Sequence, residues 1–282
     1  MIDILVRPEG PIAPGSDRRA EIVSRPGGSA ANQASWLAHF GAAVDFVARV
    51  GEADRRRESA RLRRAGVTPH LTGDAHRETG RLIALVGPDG ERSFLTDRGA
   101  NLALAASDIS DALVDHAAAV QLSGYSFFAE GPRAALASVM ARAAGKPVGV
   151  DPASAQFLRE AGAENFLAWT RGATMLFPNG EEAAVLTGSD DPQIQGRRLA
   201  AHYPQVVVKR GAAGCDAFAN GDHLHVAAPQ VEARDSTGAG DAFVAAFLTA
   251  KLAGATLEAC LKRAVAAGAA ATGFLGGQPE AG

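Results

Sequence analysis

The sequence predicts an α/β protein whose central, mostly parallel sheet is covered by helices on both faces. Its 282 residues, 47% of them hydrophobic and 21% charged, are ample for one large domain of this class. From Ala117 onward, strand patterns alternate with helix patterns. The strands are short, continuous apolar runs such as Val206 to Val208, which are typical of parallel strands buried on both faces.

In the first part of the chain, apolar runs and turn residues predict five strands and two helices. The strands are expected at 4–6, 20–23, 44–50, 81–86 and 91–96. Helices are expected at 35–40 and 55–64, each followed closely by a glycine. The segment Gly87-Pro88-Asp89-Gly90 predicts a hairpin turn between the fourth and fifth of these strands.

In the second part, strands are expected at 119–122, 148–150, 175–177, 206–208 and 215–219, with helices at 132–144, 155–169, 180–186, 194–202 and 242–252. Asp151, Asn179 and Lys209 each follow a strand directly. Because ligands of parallel sheets bind beyond the carboxyl ends of the strands, we expect these three polar residues to converge on one rim of the sheet.

Composition excludes several classes of function. A net charge of −3 gives no electrostatic basis for binding nucleic acid or an anionic membrane, and the basic run at 55–64 is interpreted as a solvated helix face. Cys215 and Cys260 are too few for a disulfide framework or a metal cluster. Charged residues among the first nine positions argue against a signal peptide, and no apolar run reaches 18 residues. We therefore expect a cytoplasmic protein.

The segment 235–241, Asp-Ser-Thr-Gly-Ala-Gly-Asp, is the most informative stretch of the chain. Its glycines let the backbone approach a ligand closely, and the helix that follows directs free N–H groups and a positive dipole end towards an anion. A carboxylate, Asp241, stands in the first turn of the same helix. This combination favours proton removal from a hydroxyl that attacks a phosphoryl group. The structural alternative is an ordinary helix cap with acidic first-turn residues.

The run DSTGAGDAF resembles the C-terminal signature of the ribokinase-like (PfkB) family of carbohydrate kinases. The run GGSAANQASWLAHFG, which begins at Gly27, resembles the N-terminal signature of the same family, although an ordinary loop-to-helix entry would also explain it. The two signatures occur in the family's order, about two hundred residues apart. The resemblance implies one domain over residues 1–282, with a small β lid contributed by about 3–25 and 81–97.

The resemblance also implies roles for the residues that match the family's motifs. Asp241 would be the general base, and Gly238, Ala239 and Gly240 would form the anion hole for the transferred phosphoryl group. On the substrate side, sugar hydroxyls would be held by Asp3, the glycine pair Gly27 and Gly28, and Asn32. Arg98 could also reach the substrate, although a polar residue in a solvent-exposed turn would have the same pattern.

Two further elements resemble the nucleotide side of the family. Asn179 and Glu182 match an N-x-x-E element that would organise Mg²⁺ through water, although a helix N-terminus with favourable acids has the same pattern. Lys209, Gly211 and Gly214 match a glycine turn near the nucleotide, for which a plain hairpin turn is the alternative. Asp235 would lie near a loop that binds a monovalent cation, potassium in many family members.

These observations lead to the hypothesis of an ATP-dependent kinase that phosphorylates a sugar hydroxyl. We expect ATP and Mg²⁺ as cofactors, and the requirement for potassium is left open. The resemblance also allows a homodimer that forms through the lid. One departure favours an alternative. Members of the family usually begin with a core strand that leads into a GD…D motif. Here Asp3 matches the second aspartate of that motif, so most of the first strand is absent. Either the start is assigned late or the chain is truncated. We expect neighbouring strands to be left unpaired beside a hydrophobic slot. The alternative is therefore a non-catalytic sugar- or nucleotide-binding relative.

Overall fold

The computed structural model describes residues 1–87, 92–273 and 275–279, and its strands form three sheets. The strands are β1 (Ile2–Pro8), β2 (Ala20–Pro26), β3 (Asp45–Gly51), β4 (Thr68–Asp74), β5 (Thr79–Val86), β6 (Arg92–Gly99), β7 (Val120–Ser123), β8 (Val148–Asp151), β9 (Met175–Leu176), β10 (Gln205–Lys209), β11 (Cys215–Ala219) and β12 (Asp222–Val226). The helices are α1 (Ser29–His39), α2 (Glu52–Arg64), α3 (Asp111–His116), α4 (Glu130–Arg142), α5 (Ala155–Ala161), α6 (Ala163–Trp169), α7 (Gly180–Thr187), α8 (Pro192–Ala200), α9 (Ala239–Leu252) and α10 (Leu257–Ala271).

The largest sheet has six strands in the order β12-β11-β10-β9-β8-β7. The four strands from β7 to β10 are parallel, and β11 and β12 continue the sheet antiparallel. The mostly parallel sheet that the apolar runs predict is therefore confirmed.

The position of β10 between two layers of helices explains why all of its central residues are apolar. Val206 and Val208 pack into a core with helices α4 to α8, whereas Val207 points to the opposite face and packs with α9 and α10. All three valines are fully buried. A parallel strand with helices on both faces has no side for polar residues, so the period-two alternation disappears.

The second sheet, which we call the lid sheet, has four strands in the order β2-β1-β5-β6. Strand β1 pairs antiparallel with β2 and parallel with β5, which pairs antiparallel with β6. Its strands span 2–26 and 79–99, close to the ranges expected for the lid. The predicted hairpin turn lies at 87–90, and of it only Gly87 belongs to the described residues.

The third sheet consists of β3 and β4, which pair in parallel and with no other strand among the described residues. Strand β7 is likewise the last strand of the six-stranded sheet. Consecutive residues of β3, from Phe46 to Val50, line the cavity described below. The unpaired strand edges that the sequence predicts are therefore present among the described residues, whereas the cavity along β3 is not purely apolar, because Arg49 also lines it.

Several elements differ from the sequence-based expectation, and α3, α10 and β12 lie outside the ranges expected for helices and strands. The helix expected from Ser35 begins at Ser29, and the helix expected over 155–169 is divided at Gly162, where φ is +84°. Strand β4 is not predicted, because Pro69 and Gly73 interrupt its apolar pattern. None of the helices within the described ranges combines the length and the apolar character that a membrane span requires.

We predict that Phe247→Ala lowers the free energy of unfolding by about 3–5 kcal/mol, because it leaves a large cavity in a close-packed core. Phe247 is fully buried, and its ring meets Phe177 edge-on at 5.3 Å between centroids. Denaturant unfolding followed by circular dichroism measures the loss.

The matched control is Leu252→Ala on the same helix, because Leu252 is 47% exposed and should change stability by less than about 0.5 kcal/mol. Equal losses for the two variants would contradict the proposed packing of α9 against the sheet.

Candidate active site

A cavity of about 920 Å³ lies between the lid sheet and the carboxyl ends of the parallel strands. The lid side contributes Asp3, Leu82 and Thr96, which occupy paired positions on one face of their strands. The opposite wall contains the ends of β8 and β10 and the turn before α9. The cavity is thus placed where α/β sheets bind ligands.

The polar residues that follow the parallel strands meet on one rim, as the sequence predicts. Lys209 Nζ lies 2.7 Å from Asp151 Oδ2, and the side chains of both residues are at least 86% buried. Asn179, three residues beyond the end of β9, forms a parallel bridge with Lys209, the last residue of β10, so the two residues lie side by side at this rim. The geometry of a parallel sheet was sufficient to predict this convergence.

The buried ion pair of Lys209 and Asp151 affects the pKa values of the groups around it. Burial alone lowers the pKa of Lys209, but the carboxylates of Asp151 and Glu182 outweigh it, so the pKa of Lys209 is raised. Glu182, which is 3% exposed, has a raised pKa because of burial, with Lys209 opposing the shift. Lys209 is therefore charged at neutral pH and holds buried negative charge in place.

The turn 235–241 opens α9 as the sequence predicts. Gly238 adopts φ +78°, a conformation that favours glycine, and an added Cβ there would lie 2.4 Å from the Gly277 carbonyl oxygen. A Cβ on Gly240 would lie 3.4 Å from Lys209 Nζ. The N-terminal end of α9 therefore combines free N–H groups with a neighbouring ammonium group, an arrangement that suits an anion.

Asp241 is held by three donors from the first two turns of α1. Ser29 Oγ donates to Asp241 Oδ1 over 2.8 Å, Gln33 Nε2 donates to the same oxygen over 3.1 Å, and Asn32 Nδ2 donates to Oδ2 over 3.0 Å. These donors share one helix face because they are three and four residues apart. The contact exists only because α1 begins at Ser29, six residues earlier than expected.

The environment of Asp241 suits a base. Burial and, to a smaller extent, the nearby carboxylate of Asp151 raise the pKa of Asp241 to about 6, although the hydrogen bonds from the three donors oppose the shift. Gln33, which is 2% exposed, also donates to Asp151 Oδ2 over 3.3 Å and so separates the two carboxylates. Asp241 is ionised at neutral pH and basic enough to accept a proton.

Asn32, expected to hold sugar hydroxyls, uses both ends of its amide within the protein. Its Oδ1 accepts a hydrogen bond from Gln278 Nε2 over 3.1 Å, while its Nδ2 donates to Asp241. Gln278 in turn accepts from Arg61 over 2.7 Å. In this arrangement Asn32 positions Asp241, and the segment 275–279 positions Asn32.

Asp3 faces the cavity from the lid sheet, and its carboxylate is buried without a full set of hydrogen bonds. Burial raises the pKa of Asp3 to about 6. Its Oδ1 is buried with no hydrogen-bond partner within the described residues. A Cβ on Gly27 would lie 1.9 Å from Asp3 Cγ, so only glycine lets the carboxylate pack there, and Gly28, with φ +90°, begins α1. A substrate hydroxyl would satisfy the orphaned oxygen.

Asn179 and Glu182 form a reciprocal capping box at the start of α7. Asn179 Oδ1 accepts from Glu182 N, and Glu182 Oε2 accepts from Asn179 N, each over 2.8 Å. The structural alternative for this motif is therefore present. Both residues also line the cavity. Glu182 Oε1 makes no hydrogen bond within the described residues, so one oxygen stays available to a hydrated cation.

Within the ranges that the structure describes, no three acidic, histidine or cysteine side chains are grouped as metal ligands. One free carboxylate oxygen in the cavity, Glu182 Oε1, fits Mg²⁺, which keeps much of its water shell and prefers oxygen ligands. The described part of the cavity does not fit an ion that takes all of its ligands from protein side chains.

Gly211 and Gly214 lie in the hairpin turn that joins β10 to β11, where Arg210 N donates to Gly214 O over 2.8 Å. Neither glycine is among the residues that line the cavity, although Lys209 is. The two glycines therefore form the hairpin turn that the sequence analysis gave as the alternative to a nucleotide site. A contact between them and a nucleotide stays a prediction.

Asp235 orders the turn before α9. It is 7% exposed, its Oδ1 accepts from Thr237 N over 2.8 Å, and its Oδ2 accepts from Gly276 N over 3.0 Å. This carboxylate therefore ties the segment 275–279 to the anion-binding turn. Arg98 lies on the lid side of the cavity and donates to the carbonyl oxygen of Tyr125.

The sequence analysis does not identify several residues of the site: Ser29, Gln33, Tyr125 and Gln278. Asp151 is predicted to lie on the rim, because it follows a strand, but no role is assigned to it. Gln33 follows Asn32 in the N-terminal signature, so a helix that starts at the glycine pair would have indicated it. Gln278 offers no comparable signal, because its role depends on a contact 246 residues away.

We predict that Lys209→Met lowers the free energy of unfolding by about 3–5 kcal/mol at pH 8.5, because two buried carboxylates lose their cation. A carboxyl group whose folded pKa is raised loses stability as the pH rises above its unfolded pKa, so the loss should be smaller at pH 5.5. Thermal unfolding at the two pH values measures the difference.

Two controls accompany this variant. Adding Asp151→Asn should recover part of the loss by removing one of the unpaired charges, and Lys262→Met, at an exposed ion pair with Glu258, should change stability by less than about 0.5 kcal/mol. A loss from Lys209→Met that is the same at both pH values would refute the electrostatic explanation.

Comparison with known proteins identifies the family. The family model described as pfkB family carbohydrate kinase matches residues 1–280. The bifunctional protein HldE of Nitrobacter winogradskyi is 33% identical over 264 residues, which cover 86% of this chain and 52% of that protein. The chain thus spans about half the length of this relative. The ATP-dependent ribose-1-phosphate kinase of Halopiger xanaduensis is 31% identical over 268 residues, 92% of this chain and 86% of that kinase.

The solved structure of ribokinase from Thermotoga maritima matches with a TM-score of 0.84 and 26% identity, over 98% of this chain and 91% of that one. The ribokinase-like fold that the sequence predicts is therefore confirmed, and the chain belongs to the pfkB family of carbohydrate kinases.

Proposed function

We propose that this protein transfers the γ-phosphoryl group of ATP to a hydroxyl of a sugar or sugar-like substrate. One observation carries the proposal. A carboxylate with a pKa of about 6, Asp241, lies beside the N-terminal end of α9 and at the edge of a cavity of about 920 Å³. A base and an anion-binding helix end at the same point are the two requirements of phosphoryl transfer to an alcohol.

In the proposed reaction, the substrate hydroxyl oxygen bonds to the γ-phosphorus while its proton passes to Asp241. The bond between the γ-phosphorus and the bridging oxygen breaks, and its electron pair leaves with ADP. The N–H groups of Gly238, Gly240 and Asp241 offer donors to the phosphoryl oxygens as negative charge spreads over them, whereas the N–H of Ala239 already donates to the carbonyl oxygen of Ser236 over 3.3 Å. Lys209, beside Gly240, adds a positive charge that is fixed before the reaction starts.

The nucleotide would lie on the side of the cavity formed by Lys209, with the hairpin turn of Gly211 and Gly214 next to it. Mg²⁺, when bound with ATP, neutralises charge on the phosphates. Glu182 would hold its water shell through the free Oε1, and Asn179 would support Glu182 through the capping box. Two solved relatives of lower identity, at 19% and 21%, are described as complexes with ATP, one of them also with magnesium.

The sugar would lie under the lid sheet. The orphaned oxygen of Asp3 would accept a hydroxyl, and the glycine pair Gly27 and Gly28 lets the substrate approach the start of α1. Asn32 would act mainly through Asp241, because both ends of its amide are already engaged. The relative from Halopiger xanaduensis is named as a ribose-1-phosphate kinase, so sugar phosphates belong among the proposed substrates.

A monovalent cation near Asp235 stays part of the proposal, since this residue orders the loop that the family resemblance assigns to potassium. Cytoplasmic placement also stays a proposal. Cys215 and Cys260 are both buried free thiols, which is the expected state in a reducing compartment.

A second function, sugar or nucleotide binding without turnover, is favoured by one specific observation. The edges of β3 and β7 are unpaired among the described residues, and the cavity opens along β3. Looser positioning of groups around the cavity would retain binding but lower the rate. Calorimetric binding of a sugar in the absence of ADP release would support this alternative.

We predict that Asp241→Asn lowers kcat by about 10²-fold or more, because an amide cannot accept the proton. For the unmodified protein, kcat should fall below about pH 6, as protonation of Asp241 removes the base. The variant should lack this acid limb. ADP release coupled to a spectrophotometric assay, followed from pH 5 to 8.5, measures both effects.

The control is Asp222→Asn, which makes the same chemical change at an exposed position of β12 and should leave the profile unchanged. If Asp241→Asn keeps kcat within a few-fold and retains the acid limb, Asp241 is not the base.

We also propose that the lid sheet forms a homodimer. Its outer face carries Ile4, Ile22, Ile83 and Leu95 at neighbouring paired positions, and Ile22 and Leu95 are 64% and 59% exposed. An apolar sheet face of this kind typically marks an interface. The double variant Ile22→Lys, Leu95→Lys should raise the dimer dissociation constant by roughly 100-fold.

Sedimentation equilibrium measures the dissociation constants. Leu252→Lys is the control, because it adds a charge at an exposed apolar residue far from the lid strands in sequence. A monomeric unmodified protein at micromolar concentration would contradict the proposal.

A further inference from the structure

Arg98 stands near the end of β6, on the cavity side of the lid sheet. It lies opposite Gly80, between the paired positions Thr79–Gly99 and Arg81–Asp97. It therefore shares a face with Thr96, two residues earlier, and both residues line the cavity. This placement directs its guanidinium towards the space in which the sugar is proposed to bind.

Three basic side chains of the cavity wall are neutralised by carboxylates. Arg49 pairs with Asp108 at 3.3 Å, Arg61 pairs with Glu58 at 2.9 Å, and Lys209 pairs with Asp151 at 2.7 Å. Their charges are balanced before any ligand arrives.

Arg98 differs from them. Across the described parts of the chain it has no carboxylate partner, and its one hydrogen bond goes to the backbone carbonyl of Tyr125. Its side chain is half-buried, and burial lowers the pKa of the guanidinium, which means that its surroundings disfavour the charge. Arg234 also lacks a carboxylate partner there, but it is exposed and adjoins the anion-binding turn on the opposite wall.

A guanidinium carries five N–H donors in a planar fork that matches a carboxylate or a phosphate. The bond to Tyr125 uses one of them. A neutral hydroxyl could accept from another donor but would leave the half-buried charge uncompensated, whereas an anion satisfies both needs.

Asp3 and Arg98 thus offer two different kinds of contact from the same sheet. Asp3, with its orphaned oxygen, suits a hydroxyl, and a carboxylate at that position would repel an anionic group. Arg98 suits the anion. We infer that the substrate is a sugar that carries an anionic group, a carboxylate or a phosphate, and that Arg98 binds this group. The inference rests on the proposed kinase function, because it names the substrate class of the same cavity.

The test compares three matched groups of substrates with Mg-ATP: neutral sugars, sugar acids with the same carbon skeletons, and their phosphate monoesters. ADP release gives kcat and KM for each. We expect one of the two anionic groups to exceed the neutral sugars at least tenfold in kcat/KM. The group that does so distinguishes a carboxylate from a phosphate.

The variant is Arg98→Met, which keeps the length of the side chain but removes its charge. We expect KM for the anionic substrate to rise about 10- to 100-fold, with kcat changed by less than about threefold, because the lost contact binds substrate away from the reacting hydroxyl. Arg98→Lys should give an intermediate KM, since it restores charge without the fork. It also provides the test should Arg98→Met fail to fold.

Arg81→Met is the matched control. Arg81 is on the neighbouring strand of the same sheet, but its side chain is 52% exposed and pairs with Glu78. This variant should leave KM unchanged.

The outcomes separate this inference from the proposed function. If neutral sugars are the best substrates and Arg98→Met leaves KM within threefold, the inference is overturned while the kinase function stands. If no substrate is phosphorylated, the kinase function fails, and calorimetric binding of the same sugars decides the role of Arg98. Preferential binding of an anionic sugar that Arg98→Met abolishes supports the inference, and equal binding of neutral and anionic sugars overturns it.

Discussion

The contact between the N-terminal ends of α1 and α9 is the interaction on which the site depends. Helix α1 has neither a side-chain cap nor an acidic residue in its first turn. Asp241, from the first turn of α9, supplies the missing negative charge and accepts hydrogen bonds from Ser29, Asn32 and Gln33. One carboxylate therefore stabilises the positive ends of two helices at once. The same group that would accept the substrate proton also fixes the angle at which the helices meet.

From this contact a chain of polar side chains crosses the cavity. Gln33 bridges Asp241 and Asp151, and Lys209 pairs with Asp151 next to the backbone of Gly240. Each carboxylate is thus separated from the next by a donor. Since fixed dipoles and charges need no reorganisation during a reaction, such an arrangement is suited to phosphoryl transfer. It also explains why Asp241 and Asp151 can share one cavity, since Gln33 donates to both carboxylates.

Much of this could be predicted from the sequence, and the exceptions have physical reasons. The apolar run at 206–208 predicts a strand buried on both faces, and polar residues after strands predict the rim where Lys209 and Asp151 meet. The start of α1 was misjudged because Gly27 and Gly28 suggest a loop, and the acid that stabilises the helix end comes from residue 241. Such a cap cannot be recognised from neighbouring residues.

The nucleotide-side motifs show a different limit. Asn179 and Glu182 cap a helix and line the cavity, so one sequence pattern has both a structural and a functional meaning. Gly211 and Gly214 shape a hairpin, which would be required with or without a nucleotide. These motifs therefore predicted where the chain turns, but they did not establish which ligand the turns contact.

The hydrogen bond between Asn32 and Gln278 joins residues that are 246 positions apart. On the ribosome, Asn32 and the lid strands emerge early, whereas Gln278 emerges after nearly all of the described chain has been synthesised. Domains tend to fold as their N-terminal parts become available, so the nascent chain can build β1 to β6 long before the site is complete. A translation product interrupted before residue 275 would consequently retain the lid sheet but lack the segment that positions Asn32, which donates to Asp241. The candidate site is therefore completed only after Gln278 has been synthesised.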